Sequence, residues 1–376
     1  MDIYELSKKL HRDHKGKISI IARDSLDTRE KLSAYYTPGM GGVATEASSG
    51  REALKPYSWI NNNLAVVSDG SAVLGLGDIG PFGGMPVMEG KAMIFKEFAN
   101  IDAVPIVLNV HSVEEIVGVV KAISPSFGAI NLEDIAAPKC FEIEERLKAE
   151  LDIPVMHDDQ HGTAVVVLAG LINAIKVTGK KLSSCKIVIV GAGAAGVAVA
   201  KLLYQYAKPQ IVAVDSKGII NLSRTDLNEE KRLLLEFAKD QKSGSLSDAI
   251  KGADIFIGLS RGNLLTTNDV SSMATKGIVF AMANPTPEIM PDKAIKGGAM
   301  VVATGRSDFP NQINNVLAFP GIFRGALDND IKKITDQHKI AAAETIASLV
   351  VKPTADNIIP SVLNKKLVPA IARVIV

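Results

Sequence analysis

A chain of 376 residues fits two domains of ordinary size. Apolar residues make up 47% of it, which is enough for two hydrophobic cores and excludes disorder as a global description. The 42 lysines and arginines nearly balance the 41 acidic residues, and no long block of one charge occurs. This balance does not indicate nucleic acid or an anionic membrane surface as a partner.

Cysteine usage and the apolar segments indicate a cytoplasmic protein without a membrane partner. Cys140 and Cys185 form neither a metal-type spacing nor a disulfide framework, which suits a reducing compartment. The polar N-terminus lacks the apolar core of a signal peptide. The longest apolar helix that we predict, residues 163–177, is interrupted by Asn173 and Lys176 and is shorter than the ~20 residues of a membrane span.

The first 30 residues are charged, and we expect them to form an arm on the surface. The sequence YTPG follows, in which Pro38 and Gly39 end any helix and the proline favours extended backbone before it. Taken alone, Tyr36 is better explained by packing of its ring, although a phenol can also act as an acid.

A glycine-rich loop precedes Lys91. A predicted strand over residues 64–67 is followed by seven glycines between positions 70 and 90, which would let the backbone approach a ligand closely. We predict a helix over residues 91–98, so Lys91 would stand at a helix N-terminus, where positive charge is disfavoured. The lysine is either simply solvated or has a pKa lowered by burial or by a nearby metal ion.

Pairs of acids follow two neighbouring predicted strands. Strands and helices alternate beyond the loop, with strands over residues 105–110, 129–132 and 154–156 and helices over residues 113–123 and 140–151. Glu133 and Asp134 follow the second of these strands, and Asp158 and Asp159 follow the third. Because ligands of parallel α/β sheets gather beyond the carboxyl ends of strands, we expect these acids to share a site.

The two acid pairs favour a divalent metal ion when they are considered together. Either pair alone is equally well explained by capping of the helix that follows. Two pairs of neighbouring carboxylates, however, are costly without a cation, and ligands that are all oxygen favour Mg²⁺ or Mn²⁺. We expect the flanking His157 and His161 to pack or to hydrogen-bond rather than to bind the metal.

Residues 186–215 have the pattern of a dinucleotide site. A buried strand over residues 186–190 precedes Gly191, Gly193 and Gly196, an apolar helix follows, and a second strand ends at Asp215. The glycines permit a tight turn and close approach to a pyrophosphate at the helix N-terminus, and the acid would bind the adenosine ribose. The alternative is a glycine-rich turn that serves packing only.

Three more apolar strands, over residues 254–259, 278–281 and 299–303, would complete a doubly wound parallel sheet. Polar residues stand at or after the ends of these strands and before a further apolar segment: Ser260, Asn284, Arg306, Asn314 and Asn315. We expect helices in the C-terminal region. The fold class is therefore α/β.

In this order, these segments resemble the malic enzyme family, in the compact form found mainly in prokaryotes. The resemblance covers residues 32–326 and rests on eight motifs: YTPG, SDGSAVLGLGDIG, PVMEGK, NLEDI, HDDQHGTA, GAGAAG, FAMANPTPE and ATGRSDFPNQINNVLAFPGIFRGA. It implies the oxidative decarboxylation of malate to pyruvate and CO₂ with NAD or NADP and Mg²⁺ or Mn²⁺, and also the decarboxylation of oxaloacetate. It further implies an α/β catalytic domain over residues 1–160, a Rossmann-type NAD(P)-binding domain with C-terminal helices over residues 161–376, and a homodimer.

The resemblance also assigns roles to individual residues. Tyr36 would be the catalytic acid and Lys91 the base, with Asp158 as a catalytic partner beside them. The other assignments are metal binding by Glu133, Asp134 and Asp159, cofactor binding by Gly191, Gly193, Ala194, Ala195, Gly196 and Asp215, and contacts to substrate and nicotinamide by Asn284 and Asn315.

Two details of ligand binding stay open in the sequence. Larger eukaryotic relatives hold a malate carboxylate with an arginine where this chain has Ala72, so we consider Arg306 as a replacement. Asp215 would repel a 2′-phosphate and favours NAD, whereas Lys217 and Ser216 could bind the phosphate of NADP. On balance we expect NAD.

Two other functions compete with this interpretation. One is a metal-dependent dehydrogenase that acts on another hydroxy or amino acid without decarboxylation. The other is a cofactor-binding sensor with an inactive site, against which the intact set of predicted catalytic and metal-binding residues argues.

Overall fold

Two mostly parallel sheets organise the structure, a computed structural model that describes residues 2–73, 75–239 and 242–376. The strands in chain order are β1 (Asn63–Ser68), β2 (Asp102–Val107), β3 (Ile130–Leu132), β4 (Val155–His157), β5 (Lys186–Val190), β6 (Gln210–Asp215), β7 (Gly218–Ile219), β8 (Ile255–Gly258), β9 (Gly277–Ala281) and β10 (Ala299–Thr304).

Helices pack around both sheets. The α-helices in chain order are α1 (Ile3–His14), α2 (Arg29–Tyr35), α3 (Met40–Ala47), α4 (Arg51–Leu54), α5 (Gly80–Ala99), α6 (Val113–Ile123), α7 (Lys139–Glu150), α8 (Asp158–Thr178), α9 (Ala194–Ala207), α10 (Glu229–Leu235), α11 (Leu246–Ile250), α12 (Thr267–Ser271), α13 (Pro291–Lys296), α14 (Phe319–Asp328), α15 (Asp336–Ser348) and α16 (Leu367–Ala372). Short 3₁₀ helices lie at Lys55–Tyr57, Trp59–Asn61, Ser124–Ser126, Leu182–Ser184 and Asn315–Leu317.

The first sheet has the strand order β2-β1-β3-β4, and its strands are all parallel. Strands β1, β3 and β4 are buried over their whole length, because helices cover both faces of the sheet. Strand β2 begins at Asp102, earlier than predicted. It includes Pro105, which this position tolerates because β2 lies at the edge of the sheet. The strand order reverses between β1 and β3, which marks the carboxyl edge there as a ligand crevice.

The second sheet has the order β10-β9-β8-β5-β6-β7, and the predicted parallel strands are all present in it. The sequence did not predict β7, a two-residue strand that pairs antiparallel with the end of β6. The order reverses between β5 and β8. The turn after β5, which contains the glycine fingerprint, therefore lies at the crevice of this sheet.

Helix α5 is longer than predicted, and the predicted position of Lys91 at a helix N-terminus is wrong. The helix begins at Gly80, so Lys91 lies in its interior. Four glycines and two prolines before Lys91 disfavour a helix by propensity. Packing overrides that preference, because an added Cβ at Gly83 would meet the side chain of Ile79 at 2.9 Å and one at Gly84 would lie 3.5 Å from the Gly70 backbone.

Helix α8 connects the two sheets at the centre of the molecule. It begins at Asp158, directly after β4, and ends at Gly179, whose left-handed conformation forms the C-cap. By length and composition alone it could cross a membrane, but 67% of its most apolar window is buried inside the fold, as in a core helix. The helix also runs across the predicted domain boundary at residue 160, and that boundary stays a prediction.

The N-terminal region contributes little to the core. Helices α1 to α4 bury none of their residues within the chain, and Ile60 is the first buried apolar residue among those described. Several large apolar side chains of this region are instead exposed, including Ile20, Ile21 and Tyr36.

Candidate active site

The carboxyl edge of the first sheet brings the two predicted acid pairs together. Strands β3 and β4 pair in parallel with Leu132 opposite His157. Glu133 and Asp134 therefore leave β3 at the level at which Asp158 and Asp159 leave β4. Parallel neighbours in register thus place four carboxylates at one end of the sheet, as the sequence predicted.

Three of these carboxylates form a compact set of oxygen ligands. Glu133, Asp134 and Asp159 each offer one oxygen, and the three oxygens lie within 4.8 Å of one another. The backbone N–H of Asp134 donates to Asp159 Oδ2 at 2.8 Å, which fixes the two strand ends relative to each other. Asp134 has a φ of 52°, a left-handed conformation that Asp adopts more readily than most residues. This donor set fits Mg²⁺ or Mn²⁺.

Lys91 lies buried beside this cluster. Its Nζ is 2.7 Å from Glu133 Oε1 and 2.7 Å from Asp158 Oδ2. The same ammonium lies 4.2 Å from the ring centroid of Phe319, a cation–π contact from the start of α14. The interpretation of Lys91 as a solvated lysine is therefore wrong, because long-range packing buries it among acids.

The pKa of Lys91 is shifted in the direction opposite to the prediction. Burial lowers the pKa, but Asp158, Glu133 and Asp159 outweigh it and hold the pKa above its ordinary value. The predicted lowering considered burial without the carboxylates that surround the amine. A divalent cation on the same carboxylates would oppose their effect, because it would compete with the ammonium for their negative charge.

Asp158 connects Lys91 to the second half of the chain. Its Oδ2 accepts hydrogen bonds from Lys91 Nζ at 2.7 Å and from Asn315 Nδ2 at 2.6 Å. Burial is the largest effect on its pKa, which lies above the usual value. An added Cβ at Gly162, one turn along α8, would overlap Asp158 Oδ1. The glycine of HDDQHGTA is therefore needed to make room for this carboxylate.

The two histidines of the motif support the acids, as expected. His157 Nε2 lies 3.2 Å from Asp159 Oδ2, and Gln160 Nε2 lies 3.0 Å from His157 Nδ1. Nε2 is thus the ring nitrogen of His157 that faces Asp159. His161 contacts Glu144 at 2.8 Å, and burial lowers its pKa to about 3, so it is neutral.

Tyr36 differs from the other predicted catalytic residues because the fold leaves its side chain in solvent. The ring is 68% exposed, whereas Lys91 and Asp158 are buried. It follows helix α2, whose residues are all outside the core. A catalytic role for Tyr36 stays a prediction that requires the ring to be covered by something beyond this chain's own core.

The residues considered for the malate carboxylate lie on neighbouring loops. The N–H of Ala72 donates to the Asp134 carbonyl at 3.0 Å, which ties the glycine-rich loop to the metal-type cluster. Arg306 Nη1 donates to the Pro285 carbonyl at 3.0 Å, directly after Asn284, and its guanidinium is paired with Asp308. Arg306 thus lies beside the loop of a predicted substrate contact, and its role in binding a carboxylate stays a prediction.

The three glycines of the fingerprint meet different constraints. Gly191 has a φ of 119°, and an added Cβ there would lie 2.5 Å from the Leu259 carbonyl after β8. An added Cβ at Gly196 would overlap the Gly191 carbonyl, so this residue permits the close packing of α9 on β5. At Gly193 nothing lies within 4 Å of the added atom. This is the open side on which a pyrophosphate would approach Ala194 and Ala195 at the start of α9.

Asp215, the predicted ribose ligand, is not a free carboxylate. Arg224 Nη1 donates to its Oδ1 and Arg224 Nη2 to its Oδ2, both at 2.8 Å. Burial raises the pKa of Asp215, but the hydrogen bonds from Arg224, Lys217 and Lys231 outweigh it and hold the pKa below its usual value. The prediction located this residue correctly at the end of β6 but did not include its partners.

Comparison with known proteins agrees with this geometry. The family models of the malic enzyme N-terminal domain and the malic enzyme NAD binding domain match residues 15–148 and 160–373. The bifunctional malic/malolactic enzyme of Bacillus subtilis is 51% identical over 379 residues, covering 100% of this chain and 92% of the relative. The NAD-dependent malic enzyme of Geobacillus stearothermophilus is 54% identical over 366 residues, covering 96% and 76%. The crystal structure of the NAD-dependent malic enzyme of Thermotoga maritima has a TM-score of 0.95 at 48% identity, covering 100% and 99%.

A Rossmann-type domain joined to a buried lysine–carboxylate cluster defines an oxidoreductase that uses a nicotinamide dinucleotide. This chain belongs to the malic enzyme family. The predicted family, the α/β fold with a Rossmann-type domain, and the class of NAD(P)-dependent malate oxidoreductase are confirmed by these matches.

Sequence reasoning missed several residues that shape the site. Phe319, which covers the Lys91 ammonium, lies four residues after Asn315 in a motif of which only the asparagines were singled out. Gly162 directly precedes the helix predicted over residues 163–177 and has no role of its own in the sequence-based prediction. Arg224 lies in the charged segment after Asp215, which also contains Lys217 and Lys231. This run of basic residues after the acid was the available signal.

Gly162→Ala tests whether the glycine makes room for Asp158. At an exposed helical position this change would raise the free energy of unfolding. Here the added methyl group must displace the Asp158 carboxylate, which is the hydrogen-bond partner of Lys91. A misplacement of about 1 Å can cost about 10²-fold in rate, and we expect a loss of kcat of this order in steady-state kinetics.

Gly118→Ala is the matched control for this prediction. Gly118 is also helical, in α6, but nothing lies within 4 Å of its added Cβ. The control should raise the free energy of unfolding by about 0.5–1 kcal/mol and leave kcat unchanged. A Gly162→Ala enzyme with the kcat of the unaltered chain would show that Asp158 is not held by this contact.

Proposed function

We propose that this chain oxidatively decarboxylates malate to pyruvate and CO₂ with NAD or NADP, using Lys91 as base and Tyr36 as acid. The observation that carries the proposal is the buried Lys91 ammonium between Glu133 and Asp158, with Asp134 and Asp159 completing the oxygen cluster. Asn315, from the segment after β10, bonds to this cluster, so the cluster lies against the dinucleotide-binding half.

The metal ion belongs to the proposal, and the residues fit it. Glu133, Asp134 and Asp159 would hold Mg²⁺ or Mn²⁺, since their three oxygens converge and all are carboxylate oxygens. When bound, the cation supplies positive charge that stabilises the anion left by loss of CO₂. His157 faces Asp159 and would orient that ligand.

Lys91 and Tyr36 would act on different proton transfers. Lys91 would act as the neutral amine, the form that a divalent cation on the same carboxylates favours, and accept the proton of the malate hydroxyl as the hydride on C2 passes to the nicotinamide. Asp158, which Asn315 holds, keeps the Lys91 amine in place. Tyr36 protonates C3 after CO₂ has left. Asn284 and Asn315 are the proposed contacts to substrate and nicotinamide, and the glycine turn with Ala194 and Ala195 holds the pyrophosphate.

The choice between NAD and NADP depends on Asp215. An unpaired acid at the end of β6 would bind the 2′-hydroxyl and favour NAD, and this preference stays a prediction. That argument assumes an unpaired acid, whereas the ion pair with Arg224 already compensates the charge of Asp215.

We also propose that the chain forms a homodimer and works in the cytoplasm. Helices in proteins are stabilised mainly by burying an apolar face, yet no residue of helices α1 to α4 is fully buried within the chain. Ile20 and Ile21 are 88% and 81% exposed, on the same N-terminal segment as Tyr36. We propose that a second copy covers this segment and the Tyr36 ring together. Both cysteines are free and buried, which suits a reducing compartment.

Substituting Asp159 tests the metal site. Asp159→Ala should abolish turnover and weaken Mn²⁺ binding by at least about tenfold, because one of three anionic ligands is lost. NAD binding should remain, and titration calorimetry measures both. Asp152→Ala, which removes an exposed carboxylate from the same region, should change neither. Near-normal activity of Asp159→Ala with Mn²⁺ still bound would remove this residue from the site.

Lys91→Ala and Tyr36→Phe should separate the two proton-transfer roles. Lys91→Ala should suppress malate oxidation by about 10²–10⁴-fold, the usual contribution of a general base. It should harm decarboxylation of added oxaloacetate less, because that substrate has no hydroxyl proton to lose. Tyr36→Phe should impair both reactions, because both end in protonation at C3. Full activity of Tyr36→Phe in both assays would place the acid elsewhere.

Lys91→Ala needs its own control, because it leaves Glu133 and Asp158 buried without their cation. Thermal unfolding shows whether the variant is folded. A small added amine that enters the space of the lost side chain should partly restore malate oxidation.

NAD(P)H formation by the unaltered chain without pyruvate or CO₂ would favour the competing dehydrogenase without decarboxylation.

An Ile20→Asp, Ile21→Asp double variant tests the dimer. Two charges in an apolar interface should dissociate the dimer. The mass measured by sedimentation equilibrium should then be halved, and turnover should fall as well. Val351→Asp introduces a charge at an equally exposed site, 87% exposed but near the C-terminus, and should leave the mass unchanged. A double variant with the mass and activity of the unaltered protein would exclude this segment from the interface.

A further inference from the structure

Glu288 is a buried carboxylate to which the proposed reaction gives no role. It is the last residue of the motif FAMANPTPE, and its side chain is fully buried. The backbone N–H of Ser260 donates to Glu288 Oε1 at 3.1 Å, and the backbone N–H of Ala283 donates to Glu288 Oε2 at 3.0 Å. Among the described residues, backbone N–H groups are thus what stabilises the charge of this acid.

The two donors belong to loops that follow neighbouring strands. Strands β8 and β9 pair in parallel, and the loops after them span residues 259–265 and 282–288. The N–H of Leu265 donates to the Glu288 carbonyl at 2.9 Å, so the loops also meet through the backbone. An added Cβ at Gly258 would lie 2.3 Å from Glu288 Cδ. The end of β8 therefore leaves the space that the Glu288 carboxyl group occupies.

These loops lie at the crevice of the second sheet. Strand β8 is next to β5, where the strand order reverses. An added Cβ at Gly191, in the glycine turn, would lie 2.5 Å from the Leu259 carbonyl of the loop after β8. In the loop after β9, the carbonyl of Asn284 would lie 3.3 Å from an added Cβ at Gly75, and its Nδ2 would lie 2.8 Å from one at Gly305. Asn284 is therefore enclosed between the two halves of the chain.

We propose that Glu288 is a positioning residue for the nicotinamide end of the cofactor: by holding the loops after β8 and β9 together, it sets the position of Asn284. The inference rests on the dinucleotide-binding role proposed above. Ala283, whose N–H binds the carboxylate, directly precedes Asn284, so a change in this hydrogen bond moves the asparagine.

The arrangement requires an acid at position 288. Both backbone groups are donors, and an ionised carboxylate accepts on each of its two oxygens. A glutamine of the same shape has one oxygen and would turn its NH₂ group towards one of the N–H groups. Glu288→Gln should therefore separate one of the two loops from the other without removing side-chain volume.

Two probes isolate the nicotinamide group without any turnover. NAD and adenosine diphosphate ribose differ only in that group, and titration calorimetry without malate gives the Kd of each. NADP and the 2′-phosphate of adenosine diphosphate ribose are the equivalent pair if the protein prefers NADP. Glu288→Gln should weaken NAD about fivefold, the scale of one lost hydrogen bond.

The same substitution should leave adenosine diphosphate ribose within about twofold of its Kd, because distant sites act independently. The glycine turn that would bind the pyrophosphate is attached to β6 rather than to Glu288, since the Gly191 N–H donates to the Val214 carbonyl at 3.0 Å.

A double variant tests whether Glu288 acts through Asn284. Asn284→Ala should weaken NAD by a factor similar to that of Glu288→Gln. Because the two residues would act on one contact, the double variant should lose no more NAD affinity than the weaker-binding single variant. Losses that multiply would show that Glu288 acts independently of Asn284, and the proposal would be wrong.

Asp292→Asn is the matched control. Asp292 is an exposed acid in the first turn of helix α13, four residues after Glu288. The substitution removes the same charge from the same segment and leaves the acceptor of both loops in place, so neither Kd should change. If Asp292→Asn weakens NAD as much as Glu288→Gln does, charge alone explains the effect and the proposal is wrong.

Glu288→Asp replaces Glu288→Gln if thermal unfolding shows that the latter does not fold. It keeps the charge, but its side chain is one methylene shorter and cannot reach both N–H groups. It should likewise weaken NAD and leave adenosine diphosphate ribose unchanged.

A purely structural role for Glu288 would weaken both probes equally, or lower the unfolding temperature with neither Kd changed, and either result would overturn the proposal. So would an unaltered protein that binds NAD no more tightly than adenosine diphosphate ribose. If the probes respond as expected while malate is not turned over, the inference stands and the proposed reaction fails. With malate turnover intact, the KM for NAD should rise in Glu288→Gln by about the same factor as its Kd.

Discussion

The burial of Lys91 among carboxylates is the constraint on which the rest of the site depends. An uncompensated buried charge costs several kcal/mol, so the ammonium and its acids are stable only as a set. Glu133 leaves β3 and Asp158 begins α8, while Lys91 comes from the interior of α5. The ion pairs therefore fix the relation of three elements that are far apart in sequence, and Gly162 of α8 leaves the space that the Asp158 carboxylate occupies.

The same cluster determines what the site attracts. Glu133 and Asp158 contact Lys91, and Asp159 lies beside them, 3.2 Å from His157 Nε2. The excess of negative charge favours a cation, and the convergence of three oxygens gives that cation a place. Burial raises the pKa of Glu133 well above its usual value despite Lys91, and the neighbouring Asp159, Asp158 and Asp134 raise it further. A divalent cation would relieve that cost.

Local patterns in the sequence predicted the elements that local physics determines. Buried strands were found because they are continuous apolar runs, and the acids and glycines because they stand where such strands end. The contacts of Lys91 could not be found in this way, since its partner Asp158 lies 67 positions along the chain and on another element. The length of α5 was missed for a related reason: tight packing at Gly83 and Gly84 outweighs their poor helix propensity. The exposure of Tyr36 was hidden too, because a motif states which residues are present and not which surface covers them.

For Asp215, the motif predicted the location of the residue, and only the structure shows its partners. An acid after the second strand of a glycine fingerprint is read as a ribose ligand, and its location at the end of β6 agrees with that reading. Its chemistry depends on Arg224, nine residues later in an irregular segment, which no spacing rule connects to it. The free energy that a carboxylate offers to a ligand is what remains after its own partners are satisfied. For Asp215 four donors already occupy the oxygens, so little of that free energy is left for a ligand.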